Sequence, residues 1–583
     1  MPKDWVISPP ADCRDDLARA LRVSPVVGQV LANRGVHEVE AARQFLRPQI
    51  ADMLGPDQFP ATLRAAERIC GAIEAGRRIV IFGDYDVDGV TGVSILWHVL
   101  RLAGAEPGFY IPHRLEEGYG ISPEAVKSLA DEGASLIVTV DCGVTAIEAA
   151  ALAKSRGVEL IITDHHNPRT NDAGRMELPE ALLVHPAIPG ENDSPYSNPH
   201  LCGAGVALKL AWAVAQKASR STKVMPAYRE FLLDAMGLAA LGTVADIVPL
   251  VGENRIIAHH GLASLPHSRL AGVQALIESV GLRGKQLAGF DVGFKLGPRL
   301  NAIGRMGHAR LAVEMLTRAS AAEAAAIAAN LEQHNRARQA LERRITGEAR
   351  DMIAAQGLDR EPNRAIVLAS GGWHAGIIGI VAGRLAESYG RPTVLIALED
   401  GVGQGSARSV RNFPLHEVFR DCQGHLIGFG GHAMAAGLRI EGAKVDAFRE
   451  AFCRRAGQML TPQDLRTRLR VDDVVELGQL NEQLVADLDR LEPFGAGNPE
   501  PMLATADLDL VGDARAVGAG GQHLQVTLSD GRTRCKGIAF GQAGMRDELL
   551  DRRRCQVAFR PIINEWNGRR SVEMQIADFR CPG

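Results

Sequence analysis

The chain has 583 residues, too many for one hydrophobic core, so three or four domains are expected. Hydrophobic residues make up 46% and charged residues 23%, the balance of an ordinary folded protein rather than of a disordered or fibrous one. The net charge of -4 weighs mildly against a nucleic-acid partner, although clustered metal-binding carboxylates would lower it while a basic groove stayed local.

No run of about 18 uncharged apolar residues occurs, so no membrane span or membrane partner is expected. The start, Met1-Pro2-Lys3-Asp4, lacks the basic and apolar regions of a signal peptide. The nine cysteines are scattered, odd in number and free of C-x-x-C pairs. That argues against a disulfide framework or a cysteine zinc site and favours a reducing cytoplasm.

Residues 1–60 carry Pro9-Pro10, Pro25, Pro48, Pro56 and Pro60 and read as a short helical lead-in. A βα pattern then begins. A helix over Leu63 to Ala75 precedes an apolar run, Ile79 to Phe82, and a helix-like segment, Val93 to Ala103. Further short runs are Leu136 to Val140, Leu160 to Ile162 and Leu182 to Val184. Short Leu/Val/Ile runs separated by helix-length segments predict a buried parallel sheet in an α/β domain.

Residues 311 to about 357 lack proline and are rich in Ala, Glu and Arg, which predicts one or two long helices. A helix of about 40 residues would span about 60 Å and separate two lobes. A second α/β unit follows, with strands near Ala365 to Leu368 and Thr393 to Ile396 and a helix around Ile377 to Glu387. Leu491 to Pro501 reads as a Pro/Gly linker. After it, His523 to Leu528, Gln556 to Phe559 and a hairpin at Asn567-Gly568 predict a small β-barrel, with an OB-fold the obvious candidate.

The polar residues fall at strand ends. Gly83-Asp84-Tyr85-Asp86-Val87-Asp88-Gly89 follows the first strand, Asp141-Cys142-Gly143 another, and Thr163-Asp164-His165-His166 a third. In a parallel sheet these ends share one edge, where ligands bind. Asp and His without Cys suit Mn²⁺ or Mg²⁺. Asp86 and Asp88 are spaced to serve adjacent ions, with Asp141 between them. Two cations would relieve the repulsion among these carboxylates and together clamp and cleave a phosphodiester. Taken singly, each piece has a blander reading: D-x-D as a helix cap, a His pair as surface or core. An EF-hand fails at its twelfth position, which is Ile95 rather than Glu. Asp246, alone in the apolar segment Gly242 to Leu250, is a further acid that burial would make costly unless paired or metal-bound.

These four segments, in this order, resemble the motifs of the DHH phosphoesterases, and the domain series resembles that of the family's single-strand-specific 5′→3′ exonucleases. The resemblance runs from about residue 60 to the end. It implies an α/β protein: a DHH parallel-sheet domain over 61–310, a connecting helix over 311–358, a DHH-associated substrate-binding domain over 359–460 and an OB-fold barrel over 461–583. It implies metal ligation by Asp86, Asp88, Asp141, His165 and Asp246, with Asp84 a further acid, and a catalytic pair of His166 and Asp164. Arg299, Asn301 and Arg305 of Gly297 to Arg305 are placed near the DNA. Gly371 to Gly376, Gly405 to Ser409 and Gly428 to Gly437 match motifs of the second domain, adding Ser406, Arg408 and His432 as phosphate donors.

Arg114 would work with Ser406 and Arg408 on the 5′ phosphate, where a bidentate fork suits the task. Phe540, Phe559, Trp566 and Phe579 are candidate stacking residues in the barrel, each more readily read as core except Trp566 beside its turn. The implied activity is two-metal hydrolysis, with Mn²⁺ or Mg²⁺, releasing 5′-mononucleotides from single-stranded DNA in repair and recombination. A narrow path between the lobes would exclude duplex. A single-strand-binding protein and a helicase are candidate protein partners. The rivals are an oligoribonuclease or cyclic-dinucleotide phosphodiesterase, a family II pyrophosphatase, and a catalytically dead scaffold. The OB-like tail disfavours the first two, and the complete set of ligands disfavours the third.

Overall fold

A computed structural model describes residues 3–581 apart from 115, 172–173, 189–194, 306–308 and 567. The chain packs as two compact units. One comprises Ala11–Asn335 and Gln483–Pro501, the other Met1–Pro10, Arg336–Glu482 and Met502–Gly583.

The first unit is built on a five-stranded sheet. Its elements are α1 (Thr62–Glu74), β1 (Ile79–Gly83), α2 (Val87–Leu102), β2 (Gly108–Tyr110), β3 (Leu136–Val140), β4 (Glu159–Thr163), β5 (Leu182–Val184), α3 (Gly203–Ser219), α4 (Pro226–Ala245), α5 (Gly252–Ser264) and α6 (Gly297–Arg305). The strand order is β2-β1-β3-β4-β5, all parallel. Every residue of β1 and β3 is buried, which is why both read as unbroken apolar runs. Their side chains alternate between two cores: Ile79, Ile81, Leu136 and Val138 face one, Val80, Phe82 and Ile137 the other. Helix α2 begins earlier than its apolar pattern suggests, because Asp86 caps it.

The Pro/Gly segment at 491–501 does not link two units but packs within this one, with Leu491, Pro493, Asn498 and Pro501 buried. Buried Asn498 donates to the Leu491 and Pro493 carbonyls at 2.8 and 3.0 Å, and buried Arg255 donates to the Glu492 carbonyl at 2.8 Å and to that of Phe45 at 2.7 Å. The lead-in is also divided. Helices Arg14–Leu21, Pro25–Asn33 and Val39–Leu46 belong to the first unit, whereas the strand Asp4–Ile7 pairs with Arg468–Val471 in the second.

Residues 311–357 form two helices, Arg310–Thr317 and α7 (Ala321–Gln356, 36 residues, about 54 Å). The break is set by Ser320, whose backbone N–H donates to Glu323 at 2.8 Å while its hydroxyl accepts from the Glu323 N–H at 3.4 Å. The second unit holds β6 (Ile366–Ser370), α8 (Ala375–Tyr389), β7 (Thr393–Glu399), β8 (Val402–Arg408), β9 (Gly428–Gly431) and β10 (Ala435–Glu441), ordered β9-β10-β8-β7-β6 with only β6 and β7 parallel.

Its C-terminal strands Arg554–Trp566, Leu508–Leu510, His523–Ser529, Arg534–Ala539 and Arg569–Arg580 pair in that order, and the last pairs back onto the first. That closes a five-stranded circuit, the OB arrangement. The expected hairpin joins the two long strands, with Gly568 at φ 73°. Asn567 lies outside the described residues. Among described residues no helix is long and apolar enough to cross a membrane.

Candidate active site

With strand order 2-1-3-4-5, successive connections leave β1 and β3 in opposite directions, so a crevice opens at their carboxyl ends. The predicted acids lie there. Asp86 caps α2, its Oδ1 accepting from the Asp88 and Gly89 N–H groups at 2.9 and 3.1 Å. Buried Asp88 accepts from Gly203 and Ala204 N–H at 2.5 and 2.9 Å, the first turn of α3. A helix N-terminus thus holds this carboxylate in place. Asp141 adopts φ 64°, a left-handed conformation that Asp tolerates and that turns its carboxylate into the crevice. Asp246 ends α4, and the next residue, β-branched Ile247, is strained at φ 61°.

His165 Nε2 lies 3.0 Å from Asp141 Oδ1, 3.7 Å from Asp246 Oδ2 and 3.8 Å from Asp88 Oδ2. Burial lowers its pKa, which favours the neutral imidazole that ligates metals. Asp84, Asp86 and Asp141 form one set of convergent donors and Asp88, His165 and Asp246 another; a third, Asp141 with His165 and His166, links them. Asp84 Oδ1, Asp141 Oδ1 and His165 Nε2 are buried without hydrogen-bond partners, a condition native proteins rarely leave uncompensated. Burial and neighbouring carboxylates hold Asp84 and Asp141 well above the usual carboxylate range and raise Asp86. The same causes push Asp246 up to about 8. Cations relieve both conditions, and five carboxylates and one imidazole fit two divalent ions with Asp141 between them.

Asp164 has a different role from its neighbours. Its Oδ1 accepts from His165 N–H, His166 N–H and His166 Nδ1 at 2.7, 3.1 and 2.8 Å, and its Oδ2 from Val144 N–H at 2.8 Å. Burial would raise its pKa, but these donors hold it below the usual value. It is therefore a positioning anion. Burial would likewise lower His166, yet Asp164, then Asp246 and Asp84, raise it to about 9. Tyr119 completes the support: its hydroxyl donates to the Asp141 carbonyl at 3.0 Å and lies 2.9 Å from His166 Nδ1. With Nδ1 committed inward, Nε2 is the nitrogen left for a substrate.

Two positioning residues were missed by the sequence reading. Tyr119 stands between Gly118 and Gly120, both at positive φ, a signal of a shaped loop that was available. Buried His185 accepts from Ala187 N–H at its Nδ1, 3.1 Å, so Nε2 carries the proton and donates to the His166 carbonyl at 2.9 Å.

The remaining predicted residues divide. Arg114 stacks on Tyr85 at 4.8 Å, and its charge is felt by Asp84. Asn301 accepts from Val87 N–H at 3.1 Å and so braces the acidic loop. Arg299 pairs with Glu332 at 2.7 Å. Arg305 ends α6, and its side chain lies outside the described residues.

In the second unit, Arg408 approaches Ser406 Oγ at 3.4 Å. A Cβ on Gly379 of α8 would sit 2.8 Å from that Oγ and 3.5 Å from Arg408, so glycine leaves these two donors uncovered. His432 is exposed just beyond β9. Of the barrel aromatics, Phe559 and Phe579 are core and Phe540 is exposed; the Trp566 side chain lies outside the described residues. Phe540 borders an open groove of about 1180 Å³ also lined by Lys3, Gln542, Arg560, Gln575 and Arg580.

Family models match three stretches: the N-terminal domain of the DHH family at residues 78–243, the DHHA1 domain at 363–458 and the RecJ OB domain at 471–578. The single-stranded-DNA-specific exonuclease RecJ of Bacillus subtilis is 37% identical over 578 residues, 98% of this chain and 70% of that protein. That of Escherichia coli is 31% identical over 95% of both. The crystal structure of RecJ with Mn²⁺ from Thermus thermophilus superposes with a TM-score of 0.82 at 31% identity, covering 100% of this chain and 80% of that one. This chain belongs to the RecJ family of single-stranded-DNA-specific exonucleases.

Proposed function

We propose that the protein digests single-stranded DNA from its 5′ end, releasing 5′-mononucleotides by two-metal hydrolysis in DNA repair and recombination. The observation that carries this reading is the crevice cluster, in which three buried donor atoms lack partners beside a histidine locked by a buried carboxylate. Asp84, Asp86, Asp88, Asp141, His165 and Asp246 would hold two Mn²⁺ or Mg²⁺ ions, which supply water activation and neutralise charge on the phosphate. His166 offers Nε2–H to an oxygen on which charge develops. Asp164 keeps that imidazole protonated, and Tyr119 and His185 fix its loop.

Arg114, beside the acidic loop, is a further donor to phosphate. In the second unit, Ser406 and Arg408 bind the terminal 5′ phosphate as charge-assisted donors, with His432 an added donor, and so set polarity. The barrel groove with Phe540 holds more of the strand. Single-strand-binding protein and a helicase are proposed suppliers of that strand.

The test is digestion of end-labelled single-stranded DNA with Mn²⁺, beside Asp141→Ala and a chelator control. Stepwise 5′ release, absent in both controls, is expected; intact DNA in every lane would overturn the assignment.

A further inference from the structure

Phe290 and Phe294 are large apolar side chains left in water on the elements that lead into α6. They are 60% and 70% exposed, and their rings stack with centroids 4.7 Å apart and planes 24° from parallel. Burying each phenyl would have stabilised the fold appreciably, and exposed apolar groups that cluster mark binding surfaces.

The pair is held on a stiff base. Phe290 lies in the short helix Gly289–Asp291 and Phe294 in the following π-turn, Val292–Leu296, a distortion often found at functional sites. Val292 and Leu296 anchor that turn in the core. Asp291 accepts from the Ala288 N–H at 3.0 Å and from Lys295 Nζ at 2.7 Å. Gly289 packs so closely that a Cβ would sit 2.8 Å from the Phe494 carbonyl oxygen.

The π-turn runs directly into α6, and α6 is seated on the acidic loop. Asn301 accepts from Val87 N–H, between Asp86 and Asp88. A Cβ on Gly304 would lie 2.4 Å from the Tyr85 carbonyl oxygen, and one on Gly297 would lie 3.8 Å from both Val87 and Ala245, the latter next to Asp246. Lys295 adds a cation 5.8 Å from the Phe290 ring.

Exposed stacked aromatics beside a cation, rigidly coupled to a phosphodiesterase centre, match the chemistry of an unpaired nucleobase. We propose that Phe290 and Phe294 form a stacking platform for one base of the single strand close to the scissile phosphate. This rests on the nuclease reading above. A base inside a duplex already has both faces covered by its neighbours, so such a platform favours single strands. Every base has a π-face, so it is indifferent to sequence.

The test uses the full-length protein, Mn²⁺ and a set of 5′-phosphorylated oligonucleotides, each with one abasic position at successive steps from the 5′ end. In the unaltered protein, one register of abasic substitution should raise KM about tenfold, in line with one base–aromatic stack, with kcat little changed. Phe290→Ala/Phe294→Ala should raise KM on intact DNA by the same factor and lose sensitivity to that abasic position. Phe290→Trp/Phe294→Trp should restore both. The proposal is overturned if the double alanine variant keeps the KM of the unaltered protein, or if abasic sensitivity persists in it. Failure of the nuclease reading would look different: no digestion by the unaltered protein on any substrate.

Discussion

Gly242 tests the site geometry sharply, because two physical effects make opposite predictions for Gly242→Ala. It lies inside α4, where alanine is intrinsically favoured by about 1 kcal/mol. A Cβ there, however, would sit 2.3 Å from Asp88 Oδ1, 2.7 Å from Ala204 Cβ and 3.1 Å from Thr91 Oγ1. Relief requires Asp88 to retreat by about 1 Å, which breaks its hydrogen bonds from Gly203 and Ala204.

Overpacking costs about 1–3 kcal/mol and loss of hydrogen bonds to a charged group about 1.5–3 kcal/mol each, so against the helix gain of about 1 kcal/mol the clash wins by roughly 3–8 kcal/mol. A ligand displaced by about 1 Å should also lower kcat by on the order of a hundredfold. The assays are urea unfolding, calorimetric Mn²⁺ titration and single-strand digestion. Gly347→Ala is the control, since Gly347 sits in helix α7 with nothing within 4 Å of its would-be Cβ and should gain about 0.5–1 kcal/mol. If Gly242→Ala instead raised stability and left Mn²⁺ affinity unchanged, the packing of Asp88 against this glycine would be wrong.

Metal removal should expose a pH signature. The carboxylates Asp84, Asp86, Asp141 and Asp246 have raised folded-state pKa values, Asp246 to about 8. The folded metal-free chain therefore binds more protons than the unfolded one, and its stability falls as pH rises from about 4 to about 8. Calorimetry in chelator should show that fall, and Mn²⁺ should abolish it; a flat profile in chelator would refute the clustering. Lys209→Met strands Glu253, which is buried with Lys209, Tyr196 and the Leu54 N–H as its partners. It should cost about 3–5 kcal/mol in urea unfolding, and a loss below about 1 kcal/mol would contradict the pairing. Arg408→Ala should erase a preference for 5′-phosphorylated over 5′-hydroxyl DNA, about tenfold or more in kcat/KM; an unchanged ratio would move the phosphate site elsewhere. Tyr119→Phe keeps the ring but removes the hydroxyl beside His166, and should lower kcat about fivefold to tenfold, with Mn²⁺ affinity held.

The parallel sheet and its ligand edge were legible because burial on both faces leaves a plain mark: five-residue runs such as Leu136 to Val140 broken by an acid at the strand end. What was not legible depended on partners far apart in the chain. The segment at 491–501 has the composition of a linker, yet donors distant in sequence, among them buried Arg255 and the Leu250 N–H, turn its carbonyls into structural contacts. Asn301 and Arg299 illustrate the same gap from the other side. Polar residues beside a motif suit a substrate equally well, yet here Asn301 satisfies the orphan N–H of Val87 at the start of α2 and Arg299 neutralises Glu332.

Asp164 sharpens the point, since its position beside His165 predicts chemistry for it. Four donors hold its oxygens, three of them on Oδ1 and one on Oδ2. Within one triplet, then, Asp164 has satisfied oxygens and holds the loop, whereas His165 keeps a buried nitrogen without a hydrogen-bond partner among the crevice acids. Which backbone donors a side chain must satisfy is a property of tertiary pairing, and local sequence identifies the candidates without ranking them.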